Sequence, residues 1–420
     1  MITAGWRPTT VAVLVLAATT SIAGCGGSAA KTATSAPTGG TSGNPVLVGE
    51  LTPTSGQGFN YPEWLAGAQA AARAINAAGG IKGRQVKIDE CDDQNNPNQA
   101  TACARKMVSD KVIAVAGGAS LFGNTMVPIL QKGAVAWMGD FPQTEPEYNS
   151  TNMFLLDKGG VESGAGSVLA LHAVGAKSIF SAHLQVPQGD AQFAEVKQGA
   201  AAAGVRVLGD ASFPLTATDM SSFVQQAKDS KAEGVTFAGL AQQQVAYTKT
   251  AKQLGAGFTL GVTDGSLTPA QYNDTGNFST VITGGLPPVT AGADYPDKYP
   301  GVTQFMTDLK AEFDSGNKYA DPAQATLHQL VAWLSVKVIA QVAATATAVD
   351  APAVLAALNS AKDIKTGVIP PWTPSATGPA KFSRVSNKYS WFSKIGANGK
   401  PTLLASDPVD FFKLAGFPAG

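Results

Sequence analysis

The stretch Val46-Leu-Val-Gly-Glu-Leu51 is an apolar run of strand length, and it stops at Thr52-Pro-Thr-Ser-Gly56, where Pro and Gly break regular structure. This reads as a buried strand that empties into a loop. Beyond the loop, Leu65, Ala68, Ala72 and Ile75 recur at spacings of three and four, which predicts a helix with one buried face, and Gly79-Gly80 supply its left-handed stop. Val86 and Ile88 alternate with Lys87 and Asp89 in a second strand. Asn96-Pro97 then opens another helix with a cap and a first-turn proline, and Ala100, Cys103, Ala104, Met107 and Val108 form its inner stripe. Val112 to Ala116 and Ala134 to Met138 complete a first series of four strands.

The rhythm restarts near residue 165, with strands at Ser178 to Ala182, Val205 to Leu208, Val235 to Ala238 and Thr259 to Val262. Helical stretches such as Phe193 to Ala203 and Phe223 to Lys231 lie between them. Buried strands alternating with helices of 10 to 15 residues imply parallel βαβ units. Two such series, joined through Gly284-Gly-Leu-Pro-Pro288, imply two α/β lobes; a long helix around Pro322 to Val342 and the Pro-rich Gly367 to Pro374 belong to the return of the chain. A length of 420 residues is consistent with two or three domains.

Both ends of the charge scale are empty. Thirty basic and 30 acidic side chains give a net charge of zero, and no window holds the basic cluster that a nucleic-acid partner requires. Near the N-terminus, Arg7 precedes the apolar run Val11 to Ala18, too short to span a bilayer, and small residues lead to Ile22-Ala-Gly-Cys25. This pattern reads as an export signal over residues 1–24, and its end resembles the lipobox of bacterial lipoproteins, which implies lipidation of the Cys, here Cys25. Residues 25–44, rich in Ser, Ala, Thr and Gly, read as a flexible tether, so membrane contact is expected through the anchor only. In an exported chain Cys91 and Cys103 can persist as a disulfide; two reduced, buried thiols are the alternative. The three histidines, His172, His183 and His328, have no metal-ligand spacing to that pair, and no metal or other cofactor is expected.

In open parallel sheets, ligands bind where loops leave the carboxyl ends of the strands. The candidate loops are Thr52 to Tyr61, Gly117 to Asn124, Gly139 to Tyr148, His183 to Asp190, Gly239 to Gln244 and Thr263 to Thr268. They carry Ser, Thr, Gln, Asp and aromatics without a cluster suited to acid-base chemistry. Gly-x-Ser-x-Gly, His-Glu-x-x-His, a phosphate loop ending in Gly-Lys-Ser/Thr and Gly-x-Gly-x-x-Gly are all missing, so an enzyme is not expected.

The string Ile75-Asn-Ala-Ala-Gly-Gly-Ile-Lys-Gly-Arg84, then Asp92-Asp-Gln94, then Ala104-Arg-Lys106 resembles the periplasmic leucine/isoleucine/valine-binding protein family, receptor components of ABC importers. The likeness in order and spacing runs from about Val46 to about Pro374. It implies a type I periplasmic-binding fold: two Rossmann-like, doubly wound lobes joined by three crossovers and closing on a small molecule. The expected lobes are 45–162 with 289–370, and 163–288 with 371–420. The resemblance also implies roles. Ser120 and Thr144, in Gln143-Thr-Glu-Pro146, would take a ligand carboxylate, with Gln143 departing from the family's Ala; Asp264 would take the ligand ammonium. Where the family often places Tyr, this chain has Val186-Pro187 flanked by His183, Gln185 and Gln188, while Phe59 and Tyr61 are candidate walls. Each residue has a plainer reading: Ser120, Thr144 and Asp264 as turn residues, Phe59 and Tyr61 as core staples, His172 and His328 as helix-packing residues, and Gln242-Gln-Gln244 as a solvent-facing helix start.

The expected function is that of a lipid-anchored, extracytoplasmic and monomeric receptor. It would deliver an amino acid or analogue to an ABC permease and its ATPase. The alternatives are a sensor that signals without transport, and a ligand that is an amide, a urea-like compound or an aromatic acid.

Overall fold

The computed structural model describes residues 43–56, 60–139 and 141–418. The expected export signal, Cys25, most of the expected tether and Phe59 lie outside the described residues. Strands β1 (Val46–Leu51), β2 (Val86–Cys91), β3 (Val115–Ala116), β4 (Trp137–Met138) and β5 (Met153–Phe154) form a parallel sheet in the order β2-β1-β3-β4-β5. A second sheet holds β6 (Ser178–Leu184), β7 (Arg206–Phe213), β8 (Gly234–Ala238), β9 (Thr259–Thr263), β10 (Thr280–Gly284), β11 (Tyr389–Ile395), β12 (Pro401–Leu403) and β13 (Val409–Asp410). Its parallel part, β7-β6-β8-β9-β10, repeats the winding of the first; β11 adds antiparallel to β10 and pairs with β12 and β13. Each sheet therefore reverses its winding once, between β1 and β3 and between β6 and β8. Ligand crevices open at such points.

The third and fourth strands are shorter than the apolar runs that encode them. Val112, Ile113 and Ala114 are buried but only Val115 and Ala116 are strand, and Ala136 is buried ahead of the two-residue β4. Burial here extends beyond the ladder, so hydropathy overstates strand length. The strands β5 and β10, absent from the sequence reading, close each parallel series.

The helix Pro62–Ala77 is buried on more of its surface than one stripe, from Trp64 through Ala66, Ala68 and Ala70 to Ile75. It packs against the helix Leu327–Thr345, and both helices rest on the first sheet. Gly67 permits that approach, since a Cβ there would stand 2.2 Å from the Gln329 carbonyl oxygen. Among the described residues Leu327–Thr345 is the one helix long and apolar enough to cross a membrane, and it is largely buried. Asn96 caps Pro97–Ser109 as its sequence predicts, accepting from the N–H groups of Asn98 and Gln99 at 2.9 and 3.3 Å. Cys91 at the end of β2 and Cys103 on that helix are joined as a disulfide.

The chain passes between the sheets after β5, after β10 and before β11, and one buried network ties the three passages. Asn387 Nδ2 donates to the carbonyls of Leu156 (2.8 Å) and Gly285 (2.6 Å). Lys158 and Glu162, whose side chains are fully enclosed, pair at 3.0 Å; Lys158 also donates to the Tyr389 carbonyl at 2.6 Å, and Glu162 accepts from Ser390 Oγ at 2.9 Å and from Thr283 Oγ1. Residues after 371 do not all follow the second sheet: Val385 bridges Leu155 beside β5, and Phe411 and Phe412 pack with Phe382 in the same cluster.

Candidate functional site

Between the carboxyl ends of the two sheets lies a cavity of about 120 Å³. Every candidate loop supplies at least one wall residue: Tyr61, Ser120, Gln143, Val186, Gly239 and Ser266 among them. Both winding reversals open into it, since Pro53 follows β1, Ala119 to Leu121 follow β3, Val186 follows β6 and Gly239 follows β8. Gly117 and Gly118 turn the chain after β3 with positive φ, and a Cβ on Gly118 would meet the Leu51 carbonyl at 2.0 Å.

On the first-lobe side the wall is aromatic. Tyr61 stacks on Trp64 at 4.8 Å, Trp64 on His328 at 4.0 Å, and Phe141 meets His328 edge-on at 5.3 Å. His328 is 7% exposed; burial pulls its pKa down to about 3, with a smaller opposing effect from the Gly265 backbone carbonyl, so the ring is neutral. On the second-lobe side, Leu184, Val186, Leu215 and Phe237 form an apolar face interrupted by Gln188, Gln192 and Gln244.

The residues singled out in the sequence divide by what their side chains do. Tyr61, Ser120 and Gln143 line the cavity. The Ser120 hydroxyl is engaged, donating to Asp93 Oδ2 at 2.5 Å while accepting from the Phe122 N–H at 3.1 Å. Burial raises the Asp93 pKa, and the Ser120 bond works against that shift. Thr144 is buried behind the wall as the N-cap of the helix Glu145–Asn149; its Oγ1 and N–H donate to Glu147 Oε2 at 2.7 and 2.6 Å. The Gln143 N–H reaches the same oxygen at 2.9 Å. Asp264 is half-buried just behind the wall formed by Thr263, Gly265 and Ser266, and its N–H donates to the Thr283 carbonyl at 2.7 Å. Desolvation, reinforced by the charge of Asp157 and opposed by the Gly265 N–H, pushes its carboxyl up to about 7.

His183 and Gln185 stand elsewhere. His183 is buried in the second lobe, stacked on Phe193 at 5.2 Å and 3.4 Å from Asp210, because odd and even positions of β6 face opposite sides of the sheet. Gln185 is exposed at the strand end. Their places are taken by Gln188 and Gln192 on the first turns of the helix Pro187–Ala203. Gln244 is 2% exposed and lines the cavity, and Gln243 is 1% exposed, its amide donating to the carbonyls of Pro214, Leu215 and Ala217, so the reading of Gln242 to Gln244 as a solvent-facing start holds for Gln242 alone. The sequence reading missed Trp64, Phe141 and His328 as a set. Phe141 lies in a candidate loop and Trp64 one turn past another, but no local pattern marks His328, which the chain's return places on the cavity.

A doubly wound pair of lobes, three crossovers and a cavity at the facing strand ends define a type I periplasmic-binding fold. The family model for periplasmic binding proteins matches residues 45–390, and the chain belongs to that family. It is 43% identical over 74 residues to an amino acid binding protein of Pseudomonas aeruginosa, covering 17% of this chain and 20% of that one. To the Leu/Ile/Val-binding protein of Escherichia coli it is 47% identical over 51 residues, 12% of this chain and 14% of that one. These matches thus span a fifth or less of the relatives' length.

Solved structures match far more of the fold. A branched-chain amino acid transporter substrate binding protein from Streptococcus pneumoniae, in complex with isoleucine, is similar with a TM-score of 0.68 at 17% identity, over 87% of this chain and 99% of that one. A solute binding protein from R. palustris, in complex with 4-hydroxybenzoate, is similar with a TM-score of 0.68 at 19% identity, over 87% and 96%. A fatty acid ABC transporter substrate-binding protein from Thermomonospora curvata gives 0.73 at 14% identity, over 90% and 96%.

Proposed function

We propose that this chain is an extracytoplasmic solute receptor, anchored through a lipid on Cys25, which closes its lobes on a small, amino-acid-sized molecule and presents it to an ABC permease. The observation that carries the reading is a cavity walled from both lobes at both winding reversals, with an aromatic face opposite an apolar and amide face. Only a ligand that touches both lobes favours the closed form over the open one. The lobes proposed to move as bodies are 45–162 with 289–370 and 163–288 with 371–420, except that the stretches around Val385 and Phe411 stay with the first sheet; the protein is proposed to be monomeric in solution. The family supports a binding role without turnover, and the relatives' names support transport of a small solute.

The direct test is calorimetry and thermal shift of the soluble chain lacking its signal, against a panel of amino acids, amides, ureas and small carboxylic acids. Stabilisation by one group of related solutes is expected; no response across the panel refutes a receptor role. Transport is tested separately, since deletion of the gene should abolish uptake of the identified solute, and unchanged uptake would make the protein a sensor. Recovery of the bound solute unchanged, by mass spectrometry, checks that it is not a substrate.

A further inference from the structure

The polar groups of the cleft are distributed in a way that a zwitterionic amino acid does not explain. No described side chain that lines the cavity is charged. The two first-lobe hydroxyls placed for a ligand carboxylate are already held by carboxylates of the protein, Ser120 by Asp93 and Thr144 by Glu147, and two backbone N–H groups share that Glu147 oxygen. An anion brought to this wall would face buried negative charge across one side chain, with no wall lysine or arginine to offset it.

What the wall leaves open is a set of neutral groups. Trp64 Nε1 is buried without a partner, in a residue 4% exposed, and is a donor only, while the Gln244 amide, in a residue 2% exposed, has the Tyr272 hydroxyl beside it. Neither nitrogen of the neutral His328 ring has a side-chain partner. Buried donors of this kind call for an acceptor. Gln143, Gln188 and Gln192 add amide groups from both lobes, each offering a carbonyl and an NH2, beside the apolar and aromatic faces.

We infer that the solute is uncharged and carries a carboxamide or urea group on an apolar body. Its carbonyl oxygen accepts from the Trp64 donor, and its N–H groups donate to the oxygens of glutamines on the wall. This rests on the receptor reading above and narrows it.

Calorimetry with matched triplets separates the two ideas: phenylacetamide, phenylacetate and phenethylamine, and isovaleramide, isovalerate and isoamylamine, with leucine as reference. The amide of each skeleton is expected to bind at least tenfold more tightly than the acid, the amine or leucine. Trp64→Phe, which keeps a ring and removes Nε1, should weaken amide binding about fivefold to tenfold without lowering the melting temperature of the free protein. Asp93→Asn should raise the affinity for the acid relative to the amide by at least tenfold. An acid, an amine or leucine that binds as well as the amide overturns the inference and leaves the receptor reading standing. Equal amide binding by Trp64→Phe and the parent also overturns it. If no triplet member binds while another solute of the wider panel does, the class is wrong and the receptor survives; if nothing in either panel binds, both fail.

Discussion

At the residue scale, Asp264 and His328 respond to pH in opposite directions although Gly265, next to Asp264, stands against the His328 ring. The folded pKa of Asp264 is raised, from 3.8 to about 7, so its contribution to stability is full below pH 4 and is lost as pH rises through about 7. The folded pKa of His328 is depressed, from 6.5 to about 3, so its contribution is present above pH 6.5 and is lost as pH falls toward 3. The two slopes oppose each other over most of that window. Relative to the parent, Asp264→Asn should gain stability as pH rises from 4 to 8, by up to a few kcal/mol at ~1.4 kcal/mol per pKa unit. His328→Gln should gain it as pH falls from 6.5 to 4. Urea denaturation across pH 4 to 8 checks both, and parallel curves for parent and variants would contradict the assignments. The sequence made Asp264 legible as a carboxylate near the cleft, but its missing counter-charge is a property of the packed neighbours. His328 had no local mark at all, because its partners Trp64 and Phe141 are more than 180 residues away in the chain.

Among elements, the three crossovers are where stability and motion meet. Asn387 holds carbonyls from both other passages, and removing its amide leaves two buried acceptors without that donor. Asn387→Leu is expected to cost about 2 to 4 kcal/mol. Glu162→Gln, which leaves the enclosed Lys158 without its counter-ion, should cost about 3 to 5 kcal/mol. Chemical denaturation measures each, and losses below about 1 kcal/mol would mean that the network is not a clamp. At the helix Pro62–Ala77, Gly67→Ala should destabilise by roughly 1 to 3 kcal/mol, because the new methyl meets backbone and not a movable side chain. Opening the disulfide with Cys91→Ser and Cys103→Ser together should cost roughly 3 kcal/mol, as the short loop it closes no longer restrains the unfolded chain.

For the whole molecule, the walls of the cavity come from both lobes. A solute bridging them should compact the protein, visible as a smaller radius of gyration in small-angle scattering. It should also raise stability by about 2.7 kcal/mol at a hundredfold excess over its Kd. Binding without compaction would place the solute on one lobe alone.

Taken by itself, the sequence determined the α/β rhythm, its restart, the helix caps and the loops that meet at the cleft. These are encoded locally, in runs of apolar residues with period two or 3.6 and in the Gly and Pro that end them. Only the tertiary structure decided which side chains of those loops face inward. Ser120, Thr144 and Gln244 each had two open readings; the choice fell to a partner 27 residues away for Ser120, to a capping partner three residues on for Thr144 and to burial by other elements for Gln244. Ser120 is turned by Asp93, Thr144 is drawn into a cap by Glu147, and Gln244 is swung onto the cavity by the packing of its helix. A strand pattern states that a loop reaches the site; for Ser120 and Gln244 the direction of the side chain within it is set by hydrogen bonds and packing that lie outside the local sequence, whereas the Thr144-x-x-Glu147 cap is written in it.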